Sequence, residues 1–234
     1  IRSALAVLVI FLCLVPFAEG IFTLIATPLM ERLPEGATMI ATQVASPFLT
    51  PFKMSLFVAV FLAMPVLLYQ VWLFVAPGLY HKEKRFAYPL LLSSIVLFYA
   101  GVAFAYYVVF PLMFAFFAGV APEGVTMMTD ISAYLDFILT IFFAFGLAFE
   151  VPIATVMLVW SRLVSIETLG KARAYVFLGA FVLGMLLTPP DVISQTLLAV
   201  PVYLLYESGL ILARVFGPES DPSDEPPKDE TTGA

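Results

Sequence analysis

Glu150 stands in the run FAFGLAFEVPIATVMLVW, where its neighbours are apolar apart from Thr155. A charged carboxylate at the centre of a membrane helix costs about 2.5–3.5 kcal/mol on insertion scales, so such a residue reads as functional by default. It is expected to face protein or water, to be protonated, or both. Asp136 lies on the same segment, nearer its end. Fourteen residues of helix separate the two acids by about 21 Å, too far for a carboxylate pair. A second acid, Glu83, is set among bases in Tyr80-His81-Lys82-Glu83-Lys84-Arg85. A carboxylate there could receive a guanidinium bidentately, although the residues alone favour a plain basic loop in which Glu83 is incidental. Cys13 and His81 are the single cysteine and histidine. They build no disulfide framework, no thiolate metal site and no His-based zinc or haem site. With no nucleophile–base pair either, neither an enzyme nor a cofactor or metal is expected, and nothing points to nucleic acid.

The elements that must position these groups follow from composition. Hydrophobic residues make up 62% of the 234 and charged residues 12%, about half the usual share for a soluble domain. Mean hydropathy is +1.03. Too few polar side chains are present to cover a soluble surface. Roughly 20 apolar residues cross a hydrocarbon core of about 30 Å, and six stretches qualify: about 4–25, 55–76, 87–118, 132–160, 172–187 and 192–212. The last two are separated by Thr188-Pro189-Pro190-Asp191, which forbids one continuous helix. The first stretch lacks a convincing cleavage site and reads as a retained helix. Because Ile1 opens directly into it, a native segment is expected to precede it.

Pro16, Pro65, Pro111, Pro152 and Pro201 fall within or near these spans. Each frees a carbonyl and bends its helix, tolerable in a membrane where neighbours re-satisfy the backbone. Several bent helices suit a concave wall. Lys82, Lys84 and Arg85 lie between spans two and three, Arg162, Lys171 and Arg173 between four and five, Arg214 after six and Arg2 before one. Only Arg32 and Lys53 fall on the other side, so both termini are expected in the cytoplasm.

The external segment 26–54 is long, carries Pro28, Pro34, Pro47 and Pro51, and is expected to fold over the surface with a helix-like core around 39–45. Thr129-Asp130 before Ile131 reads as a helix N-cap. Residues 1–216 form one membrane domain, and the acidic Pro- and Ser-rich tail 217–234 is expected to be disordered and cytoplasmic.

Four segments together resemble the TatC family, the multispanning subunit of the twin-arginine protein translocase, in its proteobacterial form. They are Ser46-Pro47-Phe48, YQVWLFVAPGLYHKEKR from Tyr69, AFGLAFEVP from Ala144 and GMLLTPPDVISQTLLAVPVYLLYE from Gly184. They occur in order at family spacing, and the likeness runs to about Phe216.

The resemblance implies an all-α polytopic fold of six transmembrane helices in a concave, glove-like wall, with the last two spans short. It implies a bacterial inner-membrane receptor that binds twin-arginine signal peptides of folded precursors at the cytoplasmic face. The receptor would nucleate an export complex, driven by the proton-motive force, with single-span TatA-like and TatB-like partners and further copies of itself. By position, Glu83 matches the signal-binding carboxylate, with Phe74 and Leu79 in the adjoining recognition region. Glu150 matches the intramembrane acid of the concave side, Asp191 the acid of the short external loop and Pro28 a functional proline of the first external loop. Met185, Thr188 and Gln195 match the docking positions for the single-span partners. The family's N-terminal Glu-Leu-Arg motif, whose acid adds a second carboxylate to the signal site, would lie ahead of Ile1; as given, the site is expected to be incomplete.

The competing reading is a proton- or ion-coupled secondary transporter with Glu150 as relay, which would be favoured by inverted repeats that the two halves do not display. The apolar parts of spans five and six, the latter up to Glu207, are near 15 residues or roughly 22 Å. Local thinning of the bilayer is expected beside them.

Overall fold

Apolar runs of this length have one stable solution in lipid, which is to close every backbone hydrogen bond within a helix. The computed structural model describes residues 2–30, 38–75, 87–120, 128–188 and 192–216. Five helical segments among them are long and apolar enough to span a membrane: Arg2–Leu24, Ser46–Leu73, Tyr88–Phe116, Ile131–Trp160 and Val192–Val215. The remaining apolar helix, Arg173–Leu187, has 15 residues, about 22 Å of rise. The expected six-helix architecture is present, with span five the short one. Span six, expected over 192–212, is a 25-residue helix, Val192–Phe216, that runs past the apolar part ending near Glu207.

Helices are numbered as they occur. Span one comprises α1 (Arg2–Leu14), a 3-10 turn (Val15–Phe17) that accommodates Pro16, and α2 (Ala18–Met30). Span two is α3 (Ser46–Val75). It begins nine residues before the expected boundary: Pro47 falls in the first turn, where its missing N–H has no partner to lose, while Pro51 and Pro65 lie inside the helix. Span three is α4 (Ala87–Phe104), a π-helical turn (Ala105–Val109) and α5 (Phe110–Val120). The π turn lies just ahead of Pro111 and absorbs the bond that proline cannot make. Span four is α6 (Ile131–Ala148) and α7 (Val151–Trp160), interrupted at Phe149-Glu150 ahead of Pro152. A short α8 (Ile166–Lys171), capped by the Ser165 hydroxyl, leads into span five, α9 (Arg173–Leu187), and span six is α10 (Val192–Phe216).

Thr38–Ile40 (β1) pairs in parallel with Met128–Asp130 (β2), with Ile40 opposite Asp130. The chain around 39–45 is therefore extended and then irregular, not helical as expected. Thr38 and Ile40 are β-branched and favour a pleat, and their partners are distant in sequence. This small ribbon marks one end of the molecule, called here the ribbon end.

Neighbouring spans pack in a curved row. Span one lies on span two, span two on three and four, span three on four, span four on six, and span six on five. The wall is concave, and an apolar cavity of about 670 Å³ lies between spans two, four, five and six. Phe57, Phe143, Leu147, Leu183, Leu187 and Val202 are among its lining residues. Half of the span-four apolar stretch is buried inside the protein, the largest share of any described span.

Packing divides into two clusters. The larger joins α3, the π turn, α5 and α6, with Phe142 meeting Phe110 at 5.1 Å and edge-on geometry. The smaller joins Val156, Val159 and Trp160 of α7 to Ala213 of α10 and to Ile166 and Leu169 of α8. Glycines set the closest approaches. A methyl on Gly209 of α10 would lie 2.8 Å from Pro152 Cα and 3.0 Å from Thr155 Oγ1. One on Gly179 would meet nothing within 4 Å.

Lipid gives helices no hydrophobic drive toward one another, so close packing of small residues carries more of the association. Gly209→Ala is therefore expected to destabilise by about 1–3 kcal/mol, the usual cost of overpacking. Gly179→Ala should be neutral or stabilising by about 0.5–1 kcal/mol. Denaturation midpoints in detergent micelles check the pair, and indistinguishable midpoints would mean that spans four and six are not in tight contact.

Candidate functional site

Span four carries the residue that the sequence singles out. Glu150 is about 29 Å of helix from Ile131 and 15 Å from Trp160, well inside the span at 1.5 Å per residue. Its backbone closes a tight turn, Glu150 N–H donating to Leu147 C=O at 3.0 Å, before α7 resumes with Ala154 N–H donating to Glu150 C=O at 2.9 Å. Pro152 has no N–H to offer the Ala148 carbonyl, which is why the helix breaks at this point. Span four thus becomes two half-helices meeting at an acid.

The carboxyl points toward span three. Ser94 of α4 donates its hydroxyl to Glu150 Oε2. The other oxygen, Oε1, is buried with no hydrogen-bond partner among the described residues. Leu147, Ala148 and Val151 line the apolar cavity, whereas Glu150 is not among its lining residues.

Three further polar links were not foreseen as pairs. Lys53 Nζ on α3 lies 2.6 Å from both carboxylate oxygens of Asp136 on α6, tying spans two and four near the ribbon end. Asp130 caps α6, its Oδ1 accepting from Ser132 N–H at 2.9 Å and Ala133 N–H at 3.0 Å. Its Oδ2 accepts from Thr42 N–H at 2.9 Å and from the Thr42 hydroxyl. The expected N-cap is present, and it also clasps the chain leading into span two. At the opposite end, Arg173 meets Glu207 with Nε and Nη2 at 2.7 and 2.9 Å, and Tyr203 donates to the same carboxylate at 2.9 Å. Tyr206 donates to Leu169 C=O at 2.7 Å. The Arg173 and Tyr203 contacts compensate the acid, which lies inside α10.

The positions expected for partner docking are described in part as one group. Thr188 is buried and donates to Gly184 C=O at 2.8 Å. A methyl on Gly184 would come within 3.4 Å of Gln195 C=O, so Gly184, Thr188 and Gln195 share the ribbon end of the α9–α10 hairpin. Met185 faces outward, 53% exposed. Pro28 falls in α2 and Phe74 in α3. Leu79, Glu83 and Asp191 lie outside the described residues, as does the tail 217–234. Glu19, an acid in span one that sequence reasoning passed over, lines a pocket of about 250 Å³ with Thr23 and Thr50. An ionisable residue inside a predicted span was the available signal.

Comparison with known proteins bears on the whole chain. The family model described as Sec-independent protein translocase protein (TatC) matches residues 1–201. The Sec-independent protein translocase protein TatC of Azotobacter chroococcum mcd 1 is 60% identical over 210 residues, 90% of this chain and 82% of that protein. Its namesake in Escherichia coli (strain K12) is 58% identical over 216 residues, covering 92% and 84%. A crystal structure titled Twin Arginine Translocase Receptor- TatC superposes with a TM-score of 0.81 at 37% identity, covering 92% of this chain and 94% of that one.

The Asp130 clasp makes a pH prediction. The Thr42 hydroxyl, then the Ala133, Thr42 and Ser132 amides, hold the carboxyl at about 2, below its ordinary 3.8. A folded-state value below the unfolded one contributes stability above pH 3.8, and that contribution is lost as pH falls through about 2. The denaturation midpoint in a nonionic detergent should therefore fall more steeply across this window in the wild type than in Asp130→Asn. Parallel declines would show that the clasp does not contribute.

Proposed function

The chain belongs to the TatC family of Sec-independent protein translocase proteins, and from that premise we propose that its Glu83 loop receives twin-arginine signal peptides. It is a membrane-spanning receptor subunit of the twin-arginine translocase, located in the bacterial inner membrane. The observation that carries the reading is the likeness in sequence and backbone, over nine-tenths of the chain, to a twin-arginine translocase receptor. The role is one of binding and assembly, not catalysis. The relatives' translocase names favour it over an ion-coupled transporter with Glu150 as relay.

We place both termini and the Glu83 loop in the cytoplasm, supported by the cations at 82, 84, 85, 162, 171, 173 and 214. Two arginines of a signal would meet Glu83 at the membrane surface, where charge-assisted bidentate bonds are stronger than neutral ones. Arginine's planar fork, which lysine lacks, would account for discrimination between them. Phe74 and Leu79 would bind the flanking residues of the signal.

TatA-like and TatB-like single-span proteins would dock on the α9–α10 hairpin around Met185, Thr188 and Gln195, with Pro28 and Asp191 acting at the same side of the membrane. The shortness of α9 supports docking there, because a thinned bilayer favours helix association. Glu150 would act inside the membrane as the complex, containing several copies of the chain, exports folded precursors under the proton-motive force. Residues 1–216 form the membrane domain and 217–234 a solvated acidic tail in this scheme.

Signal binding gives the test. A twin-arginine peptide carrying a photoreactive group should crosslink at Phe74 or Glu83, and its twin-lysine counterpart should not. Glu83→Ala should weaken binding on the order of tenfold or more, the loss expected when one partner of a charged hydrogen bond is removed. Undiminished affinity in Glu83→Ala or Glu83→Lys would reject the assignment.

A further inference from the structure

Hydroxyl side chains in these spans satisfy themselves in a common way. Ser93, Thr140, Thr155 and Thr188 each donate to the carbonyl four residues back on their own helix, at 2.9, 2.7, 2.8 and 2.8 Å. That bond costs little in lipid and leaves no donor for a neighbouring helix. Ser94, 1% exposed, does otherwise: its hydroxyl crosses from span three to the Glu150 carboxyl in span four.

The distance between the two helices is fixed by adjacent contacts. Gly146, four residues before Glu150, accepts the ring of Phe98, four residues after Ser94, where a methyl would lie 2.5 Å from Phe98 Cε2. Gly101 brings α4 against the α6 backbone, where a methyl would lie 2.4 Å from Phe145 C=O. Ser94 and Phe98 share a face of α4, and Gly146 lies in the last turn of α6 ahead of Glu150, so packing next to them holds the serine and the acid near each other. The reach between them does not depend on the hydrogen bond itself.

We infer that Ser94 is the positioning residue of Glu150: it holds Oε2 in the seam between spans three and four and leaves Oε1 as the oxygen open to a further donor. Ser94 also has a second partner within reach of its own helix. The Leu90 carbonyl, four residues back, accepts one helical N–H and has a second lone pair. Rotation of one side-chain torsion would turn the hydroxyl from the acid to that carbonyl, as Ser93 has already turned to Pro89. Ser94 can therefore release Glu150 without itself being left unsatisfied. A donor arriving at the carboxyl, from a partner side chain or a water, would meet an acid that is held but not locked. This inference rests on the proposal that Glu150 acts in transport.

The test compares Ser94→Ala, Ser94→Thr and Glu150→Gln in the full-length protein with its natural partners. One measurement is export of a twin-arginine reporter in cells. The other is the isotope-edited infrared band of the Glu150 carboxyl in the purified protein, assigned by its loss in Glu150→Gln. Ser94→Ala should shift the band toward weaker hydrogen bonding and lower export about five- to tenfold, the usual worth of one such bond. Ser94→Thr, which keeps the hydroxyl, should restore both. Size-exclusion profiles of the variants separate these effects from misfolding, and the band position remains readable even where export is lost. An unshifted band in folded Ser94→Ala, or a shifted band with undiminished export, overturns the inference. Normal export by Glu150→Gln overturns the transport role of Glu150 itself, a different failure with its own signature.

Discussion

Hydrocarbon offers an unsatisfied polar group no water, and here that constraint falls most heavily on residues 148–152 of span four. Pro152 removes the donor for the Ala148 carbonyl, and two residues before it the chain carries an acid whose Oε1 is buried without a partner among the described residues. Such a segment is tolerable only where protein surrounds it. Span four is accordingly the most buried of the described spans, and the helices on either side are arranged to make it so. Span three supplies a hydroxyl through Ser94. Span six supplies a glycine, Gly209, that lets its backbone close on Pro152.

Polar fasteners lie at the ends of the spans, where they are cheap. Lys53–Asp136 and the Asp130 clasp hold the ribbon end, and Arg173–Glu207 with Tyr203 holds the other. The Lys53 and Asp136 side chains are 48% and 42% exposed, so that pair adds little to stability and more to register. Between the two ends the contacts are mostly aromatic and glycine packing, as expected where helices associate without a hydrophobic drive, with Ser94–Glu150 and Tyr99–Phe61 C=O as polar exceptions.

Much of this was legible in the sequence, for identifiable reasons. Span positions follow from runs of apolar residues, and the Asp130 cap from a short local pattern. The helix break could be anticipated from Pro152, because a proline acts on its own helix. What escaped were pairings that depend on which helices are neighbours. Lys53 and Asp136 are 83 residues apart, Thr42 and Asp130 88, and Ser94 and Glu150 56. Each partner looks unremarkable until the spans are side by side. The helical expectation for 39–45 failed for the same reason, since β1 exists only because β2 lies against it. Glu83, Leu79 and Asp191 rest on family resemblance, which local physics did not supply.

The break in span four coincides with the boundary between the two packed clusters. Residues of α6 belong to the larger cluster and those of α7 to the smaller, with Phe149 as the last contributor to the first. A bend at 149–152 would therefore leave both clusters intact internally, and by packing within the clusters alone it is the least costly place for the span to flex. Span six runs past both: Leu198 and Val202 pack with the first cluster, Ala213 with the second, and Gly209 lies on the break itself. It acts as a splint. Glu150 is thus beside a joint that one helix braces and one serine holds from the side, and a force that separates α10 from α7 acts first on the Pro152 turn next to the acid.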